Sequence, residues 1–332
     1  MKVLVTGGAG YIGSHAVREL LEADHAVTVL DDLSRGHRAA LPPGVPLVEG
    51  DLGDASALAE ALAGAEAVMH FAGLLSVAES VADPAPYYRT NVAKGLELLA
   101  AMRAGSVDRI IFSSTCATYG VPLRVPIDES HPQDPISPYG ATKRAFERAL
   151  VDHARAGHLR ALVLRYFNAA GCHPDGSLGE DHRPEEHIVP RAIDAALGRA
   201  PALTIYGDDY DTPDGTCIRD YVHVQDLARA HVLALDAVDH PVTPETRYQA
   251  YNLGSETGHS VREVISAVER AAGTKVPTRV GARRPGDPPR LVASAQLARE
   301  RLGWRPREAG LEPIVETALR WRREHPRGYD GP

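Results

Sequence analysis

The stretch Thr6-Gly7-Gly8-Ala9-Gly10-Tyr11-Ile12-Gly13 decides the fold of this chain. The apolar run Val3–Thr6 before it predicts a strand, and Ser14–Glu22 after it predicts a helix with one apolar face. Two glycine patterns overlap, G-x-x-G-x-x-G from Gly7 and G-x-G-x-x-G from Gly8, so spacing alone leaves both open. Either pattern permits a tight turn and lets a pyrophosphate approach the N-terminus of a helix.

An acidic residue follows this glycine loop where nucleotide-binding folds place one. Ala26–Leu30 predicts a second strand, and Asp31 stands 18 residues beyond Gly13. A carboxylate at this position can accept from ribose hydroxyls and repel a 2′-phosphate, which favours NAD over NADP. Arg35 keeps the alternative open, because a nearby arginine could accept that phosphate. We therefore expect NAD as the cofactor.

Strands and helices continue to alternate through the first half of the chain. The predicted elements, in order, are Leu47–Glu49, Ala55–Leu62, Ala67–Phe71, Tyr87–Met102, Arg109–Ser113, Tyr139–Ala156 and Ala161–Tyr166. This alternation indicates a parallel sheet covered by helices on both faces. The predicted fold class is α/β, a Rossmann-type doubly wound parallel sheet with a smaller α/β substrate-binding domain.

The second half is less regular, and residues 170–220 are rich in Gly, Pro and Asp, as binding loops often are. The predicted elements here are Pro190–Leu197, Ile218–Val224, Val224–Leu235, Val261–Ala272, Pro277–Val280 and Leu311–Glu324. We expect the strand Ile218–Val224 to return to the main sheet. The predicted domains are residues 1–168, NAD-binding, with 218–255 returning to them, and residues 169–217 plus 256–332, substrate-binding.

Composition excludes several classes of function. The chain has 332 residues and a net charge of −8, which disfavours nucleic-acid binding. The apolar runs are too short for a membrane span. The three cysteines are far apart in sequence and form no CxxC, and the histidines form no H-x-x-x-H pair. We therefore expect no metal, no nucleic acid and no membrane, and a reducing cytoplasmic location.

A hydroxyl, a phenol and an amine form the candidate catalytic set. Thr115 follows the strand predicted at Arg109–Ser113, and Tyr139 and Lys143 lie one turn apart on the helix that follows. An ammonium near a phenol favours the phenolate, so the pKa should move from about 10 toward neutrality. A phenol tuned in this way can exchange a proton at physiological pH, while Thr115 bonds the same substrate oxygen.

Further motifs extend over nearly the whole chain. They are TGGAGYIGSH (6–15), HFAG (70–73), SSTCATYG (113–120), SPYGATK (137–143), LRYFNAAG (164–171), RDYVHV (219–224), YNLGS (251–255), RRPGDPP (283–289) and HPRGYD (325–330). Together they resemble the extended short-chain dehydrogenase/reductase family, and within it the nucleotide-sugar 4-epimerases. The resemblance implies reversible inversion of C4 in a UDP-hexose such as UDP-glucose or UDP-galactose, through a 4-keto sugar and tightly bound NAD.

The resemblance also implies which residues hold the cofactor. Asp31 would bind the adenosine ribose, Asp51 and Leu52 the adenine, and Asn91 would order the site. Tyr139 would be the acid/base and Lys143 its activator. The full expected cofactor set is Gly7, Gly10, Tyr11, Ile12, Gly13, Asp31, Asp51, Leu52, Phe71, Ala72, Gly73, Asn91, Ser113, Tyr139, Lys143 and Tyr166.

The substrate residues follow from the same resemblance. Arg219 and Arg284 would pair with the two phosphates, because forked planar donors suit them. Asp287 would accept from the uridine ribose, and Tyr206 would stack on uracil. The full expected substrate set is Thr115, Tyr139, Phe167, Asn168, Tyr206, Arg219, Arg284, Asp287 and Leu291, with Asn168 on the diphosphate.

Two positions depart from the family pattern. Leu75 stands where many relatives carry lysine, which removes one polar contact near the sugar or phosphate. Leu291 stands where some members place tyrosine at the limit of the sugar pocket. A smaller side chain leaves room near C2 of the hexose, so we hypothesise that an N-acetyl group is tolerated.

Four alternative functions fit parts of this pattern. A 4,6-dehydratase needs an acid and a base after the threonine, and Cys116 and Ala117 stand there instead. Epimerisation of a UDP-pentose or a UDP-uronic acid stays open. A non-catalytic NAD-binding protein would have lost part of the catalytic set, and a simple alcohol dehydrogenase would not need phosphate-pairing arginines.

The resemblance also implies a homodimer. The predicted helices 87–102 and 139–156 would pair with their copies as a four-helix bundle. Leu96, Leu99 and Phe146 are the apolar residues that the sequence offers for this interface.

Overall fold

A computed structural model describes residues 1–240, 247–284 and 287–330 of the chain. Residues 241–246 of the predicted 218–255 segment, residues 285 and 286 of the RRPGDPP motif, and residues 331 and 332 lie outside this description. The strands are β1 (Lys2–Thr6), β2 (Ala26–Asp31), β3 (Leu47–Glu49), β4 (Ala67–His70), β5 (Arg109–Thr115), β6 (Arg160–Tyr166), β7 (Asn168–Ala170), β8 (Leu203–Tyr206), β9 (Ile218–His223), β10 (Tyr248–Leu253), β11 (Gly258–Ser260), β12 (Thr278–Gly281) and β13 (Arg290–Leu291).

The helices lie between these strands. They are α1 (Tyr11–Glu22), α2 (Ala55–Ala61), α3 (Val77–Ala82), α4 (Pro84–Tyr88), α5 (Lys94–Ala104), α6 (Pro138–Arg155), α7 (Ile188–Ala196), α8 (Val224–Ala237), α9 (Val261–Ala272), α10 (Gln296–Leu302) and α11 (Leu311–Glu324). Short 3₁₀ turns occur at Arg38–Ala40, Cys116–Thr118 and Gly328–Asp330. Within the described residues, none of these helices combines the length and apolar character needed to cross a bilayer.

The main sheet has seven strands in the order β10-β6-β5-β4-β1-β2-β3, and all neighbours run parallel. Alternate residues of β1 point to opposite faces, as a pleated strand requires. Val3 and Val5 pack with α1 and α8, whereas Leu4 packs with α2, α5 and α6. Both faces are therefore covered, and the predicted Rossmann-type doubly wound α/β fold is confirmed.

A second, smaller α/β part surrounds its own core. In it β9 pairs with β7, β11 and β13, while β8 and β12 form a parallel pair. Helices α7, α9 and α11 supply most of the apolar side chains of this core, among them Ile193, Val264 and Ile314. This smaller part is built from the irregular second half of the chain, and its role in binding substrate stays a prediction.

The strand that returns to the main sheet is not the one predicted from the sequence. Ile218–His223 pairs only with strands of the smaller part among the described residues, so its predicted place in the main sheet is wrong. Tyr248–Leu253 takes the edge position beside β6 instead. Periodicity shows that a segment is a strand but does not show which partner it pairs with. The stretch from α10 to Trp304 also packs into the main-sheet core, although the predicted division placed it in the substrate domain.

The long helix predicted at 87–102 is three segments. A π-helical turn at Arg89–Ala93 separates α4 from α5, and such turns are frequent at functional sites. The turn directs Asn91 at Leu74: its Oδ1 accepts from the Leu74 N–H at 2.8 Å, and its Nδ2 donates to the Leu74 carbonyl at 3.0 Å. Asn91 thereby orders the loop after β4.

Two residues offered for a subunit interface are not at the surface. Leu99 and Phe146 are buried in the core that covers one face of the main sheet. The Phe146 ring packs against Phe112 with 4.8 Å between centroids. Only Leu96 of the predicted set is exposed, so the prediction for Leu99 and Phe146 is wrong. Helical spacing identifies an apolar face but not whether that face meets the same chain or another.

The glycine loop that joins β1 to α1 has no room for a side chain at two of its glycines. Gly7 has a φ of +71°, and a Cβ there would lie 2.5 Å from the backbone nitrogen of Ala72. A Cβ at Gly13 would lie 2.2 Å from the Gly7 carbonyl oxygen. Gly8 has a negative φ and is crowded only by the side chains of Val29 and Val5. The pattern that begins at Gly7 is therefore the one that the backbone requires.

The crowding at Gly7 is separable from its backbone conformation. Gly273 has the same φ of +71°, and nothing would lie within 4 Å of its Cβ. Gly273→Ala should therefore cost about 1–2 kcal/mol from the left-handed conformation alone. Gly7→Ala adds a backbone clash and should lower the Tm by clearly more, as measured by thermal unfolding. Equal Tm losses in the two variants would contradict this account of the loop.

Candidate active site

The candidate catalytic residues meet at the carboxyl edge of the main sheet. Thr115 ends β5 beside Tyr166, which ends β6. Helix α6 begins after Ser137, whose Oγ accepts from the Gly140 N–H at 3.2 Å as an N-cap. This start places Tyr139 in the first helical turn and Lys143 one turn later, both facing the strand ends.

The Thr115 side chain adjoins the phenol of Tyr139. Burial raises the pKa of the Tyr139 phenol far above its ordinary value, and the neighbouring Tyr166 raises it further. The neighbouring Thr115 side chain lowers this pKa but does not outweigh burial. The expected shift toward neutrality is therefore wrong for the protein groups alone, because desolvation disfavours the phenolate.

Lys143 is buried against the end of β5. Its Nζ donates to the carbonyl oxygen of Ser113 at 3.1 Å and lies 4.9 Å from the centre of the Phe112 ring. Burial lowers the pKa of Lys143 to about 8, and the carboxylate of Glu147 opposes that shift. A Cβ on Gly73 would lie 3.7 Å from this Nζ, so the loop after β4 passes directly beside it.

A buried ion pair lies behind Lys143 on the same face of α6. Both oxygens of Glu147 accept from Arg165 Nε at 3.1 Å, and Oε2 also accepts from Nη2 at 2.5 Å. Ser114 donates to Glu147 Oε1 at 2.5 Å, and Arg165 Nη1 donates to the Tyr119 hydroxyl at 2.9 Å. The pair ties α6, β5 and β6 together next to the candidate catalytic residues.

The predicted adenosine-side residues lie beyond the ends of β2 and β3. Asp31 is buried and accepts from the backbone N–H groups of Ala9 and Leu33, each at 2.9 Å. Burial raises the pKa of Asp31, and these two hydrogen bonds oppose the rise. Asp51 accepts from Lys94 Nζ at 2.5 Å. Both carboxylates are thus held in place by the chain and still carry oxygens that can accept from a nucleotide.

The remaining predicted cofactor residues border the same cleft. Tyr11 opens α1, and its hydroxyl donates to the Gly171 carbonyl at 2.5 Å, which ties the glycine loop to the second half. The Ser113 Oγ and the Tyr166 hydroxyl lie 2.5 Å apart. Of the other predicted cofactor residues, Gly10 and Ile12 lie at the start of α1 and Leu52 is buried. The backbone N–H groups of Phe71 and Ala72 both donate to the Thr6 carbonyl.

Arg35, which left NADP open in the sequence, is already engaged. Its guanidinium lies 3.1 Å from the Glu79 carboxylate and donates to the Arg183 carbonyl at 3.2 Å. An arginine that is paired with a carboxylate has fewer N–H groups to donate to a phosphate unless that pair opens. The arrangement agrees with the preference inferred from Asp31.

The predicted substrate residues form two pairs. Arg219 on β9 pairs with Asp287 through Nη2 and donates through Nη1 to the Ile218 carbonyl at 2.7 Å. The Arg284 guanidinium lies over the Tyr206 ring, 4.2 Å from its centre. Each arginine is therefore positioned by the residue that the resemblance assigned to the nucleoside.

The hexose-side residues lie beside these pairs. Leu291 on β13 is in register with Arg219 on β9, and it packs against a small cluster that contains Phe167. Asn168 Nδ2 donates to the Asp220 carbonyl at 3.0 Å. Leu75, at the other departure from the family pattern, is exposed.

Three supporting residues escaped the sequence analysis. Glu147 stands four residues after Lys143, a spacing that could have revealed it, and Arg165 is a charge inside an otherwise apolar strand. Asp220, next to Arg219, accepts from Ser255 Oγ at 2.7 Å and from the Ala293 N–H at 3.1 Å. Burial raises the pKa of Asp220 to about 6 despite these hydrogen bonds. It fixes β13, and with it Leu291, against β9.

Comparison with known proteins gives one consistent family. The model of the NAD-dependent epimerase/dehydratase family matches residues 3–254. The chain is 50% identical to a UDP-glucose 4-epimerase of Azospirillum brasilense, over 97% of this chain and 92% of that protein. Crystal structures of UDP-glucose 4-epimerases from Brucella ovis, with NAD, and Bifidobacterium longum, with NAD⁺ and UDP, are also similar. The first has 49% identity, a TM-score of 0.91 and coverage of 96% of this chain and 97% of that one. The second has 38% identity, a TM-score of 0.92 and coverage of 99% and 100%.

The buried pair behind Lys143 should dominate the stability of this edge. Glu147→Gln leaves the Arg165 guanidinium buried without its counter-charge, so we expect the free energy of unfolding to fall by about 3–5 kcal/mol. Urea unfolding followed by circular dichroism measures it. The matched control on α6 is Asp152→Asn, which breaks a pair with Arg148 whose side chains are 53% and 67% exposed. It should cost less than about 1 kcal/mol, and a comparable loss in both variants would refute the assignment.

Proposed function

The chain belongs to the NAD-dependent epimerase/dehydratase family, and we propose that it inverts C4 of a UDP-hexose, interconverting UDP-glucose and UDP-galactose. The observation that carries this proposal is the pair Thr115 and Tyr139, whose side chains adjoin each other beside buried Lys143. The pair lies at the carboxyl edge of the sheet, where doubly wound folds bind their ligands. The glycine loop borders that edge on one side, and the Arg219–Asp287 pair belongs to the smaller part of the chain.

The residues around the glycine loop fit NAD. A Cβ at Gly10 would meet only the Gly7 carbonyl oxygen, at 3.3 Å, so this position is otherwise open to a pyrophosphate at the N-terminus of α1, and Asp31 offers a carboxylate to a ribose. NAD held there would supply a reversible hydride acceptor for C4 and, in its oxidised form, a positive charge in the site. That charge is what the phenol of Tyr139 needs, because burial alone raises its pKa.

The chain's own residues move and hold the proton. Tyr139 as phenolate takes the proton of the sugar 4-hydroxyl when C4 is oxidised, and it gives the proton back when C4 is reduced. Thr115 bonds the same oxygen, which keeps it within reach of the phenol. Lys143 supplies a second positive charge that favours the phenolate, although its pKa of about 8 makes this help weaker in alkaline solution.

The substrate is anchored far from the reacting carbon. Arg219 and Arg284 suit the two phosphates, and Asp287 and Tyr206 suit the uridine. The hexose must stay loosely held, because the 4-keto ring has to present its other face before reduction. Binding energy from the nucleotide then holds a reactive group that remains free to turn.

Of the two rival reactions, the residues present disfavour one and are compatible with the other. A dehydratase would need an acid or base where Cys116 stands, and burial raises the pKa of this thiol to about 12, which makes it unsuitable near neutrality. Epimerisation of a UDP-pentose or a UDP-uronic acid uses the same residues. A substrate panel run in the assay described next separates it from hexose epimerisation.

Proton NMR of the anomeric region with UDP-galactose and no added NAD tests the proposed reaction. The appearance of UDP-glucose would show both the activity and a retained cofactor. Tyr139→Phe should lower the rate at least about 10²-fold, as expected for loss of a general acid/base. Tyr88→Phe is the control, because this tyrosine is 47% exposed. An unchanged rate in Tyr139→Phe would refute the role of Tyr139.

The size of the sugar pocket depends on Leu291 in our proposal. With leucine at this position the enzyme should also act on UDP-N-acetylglucosamine. Leu291→Tyr should lower that activity by about 10- to 200-fold relative to UDP-glucose, which is the range for steric discrimination of small groups. Leu123→Tyr, at a residue 80% exposed, should change neither activity. No turnover of the N-acetylated substrate by the unaltered enzyme would end the hypothesis.

We also infer a homodimer in the cytoplasm. With Leu99 and Phe146 buried inside the chain, the exposed aliphatic side chains that α3 to α5 offer to a partner are Val77, Val81 and Leu96. The three cysteines are free thiols, as a reducing compartment favours.

A further inference from the structure

The segment Glu180–His187, between β7 and α7, brings together four side chains that carry metal-binding atoms. They are Glu180, His182, Glu185 and His187. One ligand atom from each lies within 4.8 Å of all the others. None of the four belongs to the residues assigned above to cofactor or substrate.

Three of the six distances between these atoms are close to the edges of a metal tetrahedron. His182 Nδ1 lies 3.2 Å from Glu180 Oε1 and 3.8 Å from Glu185 Oε1, and His187 Nδ1 lies 3.8 Å from Glu185 Oε1. Zinc bound at about 2.0–2.2 Å by four ligands sets those ligands roughly 3.3–3.6 Å apart. The pair His187–Glu180 is closer than this and would open slightly around an ion.

A buried ring nitrogen in the cluster has no hydrogen bond. His182 Nδ1 is inaccessible to solvent and has no partner of acceptable geometry, although Glu180 Oε1 is 3.2 Å away. Buried polar atoms are normally satisfied, so an atom left unpaired calls for a missing partner. A cation between the ring and the carboxylates would satisfy it, since a neutral imidazole binds metal through this lone pair.

The composition of the cluster selects the type of ion. Once both imidazoles have lost their protons, as metal ligands must, the two carboxylates give the set a charge of −2, which a divalent cation balances. Nitrogen ligands disfavour Mg²⁺ and Ca²⁺, which prefer oxygen, and four ligands at these spacings favour tetrahedral Zn²⁺. The Glu180 side chain is 4% exposed and that of His187 is 44% exposed, so an ion can enter beside His187.

We propose that Glu180, His182, Glu185 and His187 form a structural binding site for Zn²⁺ or a similar divalent transition metal. No metal was expected from the sequence, because it contains neither CxxC nor H-x-x-x-H. Here two carboxylates alternate with two histidines that are five residues apart.

The position of the site indicates what the ion would do. The edge of the Tyr11 ring faces His182, with 5.9 Å between ring centres, and Tyr11 belongs to the glycine loop. Ser76 donates to Glu186 at 2.7 Å, and His37 Nε2 lies 2.9 Å from the Asp181 carbonyl. The segment therefore bridges the glycine-loop side of the cleft and α7 of the smaller part. An ion here would hold those two sides together without taking part in proton or hydride transfer.

Cobalt is a direct probe, because tetrahedral Co²⁺ gives intense visible d–d bands whereas octahedral Co²⁺ gives weak ones. The holoenzyme is treated with a chelator, dialysed and titrated with Co²⁺. We expect one tetrahedral Co²⁺ per chain, displaced by one equivalent of Zn²⁺, and a Zn²⁺-dependent rise in Tm of at least about 2 °C. Elemental analysis after dialysis against Zn²⁺ gives the stoichiometry independently.

His182→Gln and Glu180→Gln should each abolish the tetrahedral spectrum and the Zn²⁺-dependent Tm shift. His240→Gln, at an exposed histidine outside the cluster, should change neither. Circular dichroism and retained NAD absorbance verify that each variant is folded, and Glu185→Gln replaces any variant that is not. Absence of Co²⁺ binding, a weak octahedral spectrum, or an unchanged spectrum in the folded cluster variants would overturn the proposal; the last outcome would mean an adventitious ion only.

Discussion

The close approach of Gly7 to Ala72 is the contact on which the rest of the site depends. Two parallel neighbours, β1 and β4, end at the same level, and the chain leaving β1 must pass over the chain leaving β4. A Cβ at Gly7 would lie 2.5 Å from the Ala72 nitrogen, so only a bare backbone fits. This passage sets where α1 begins, and the start of α1 determines which edge of the sheet can receive a pyrophosphate.

Burial shifts the pKa values of Tyr139 and Lys143, and a neighbouring group opposes each shift. Burial raises the pKa of Tyr139 and lowers that of Lys143, so both groups are pushed toward their neutral forms. Glu147 works against this for Lys143, and Arg165 keeps Glu147 itself in place. The protein groups therefore prepare the phenol's position more than its ionisation. In the proposed mechanism the oxidised dinucleotide would supply the remaining positive charge, which would couple proton transfer to the presence of the oxidant.

Local sequence patterns predicted much of this structure, but they did not predict contacts between residues distant in sequence. Val261–Ala272 and Leu311–Glu324 were predicted to the residue, because capping or apolar periodicity marks their ends. The partner of Ile218–His223 was missed, since a short apolar strand carries no sign of which sheet it joins. The same limit hid the burial of Phe146, the π turn at Arg89–Ala93 and the desolvation of Tyr139. Each depends on residues distant in sequence.

In the proposed nucleotide site, Arg219 and Asp287 pair with each other before any ligand binds. A diphosphate can reach this guanidinium only by competing with an internal carboxylate, so weak anions gain little by displacing it. A ligand that brings ribose hydroxyls along with its phosphates offers both halves of the broken pair a new partner at once. In the proposed site, recognition would be an exchange of partners, and a solitary phosphate or a free sugar would leave one half of that exchange unfilled.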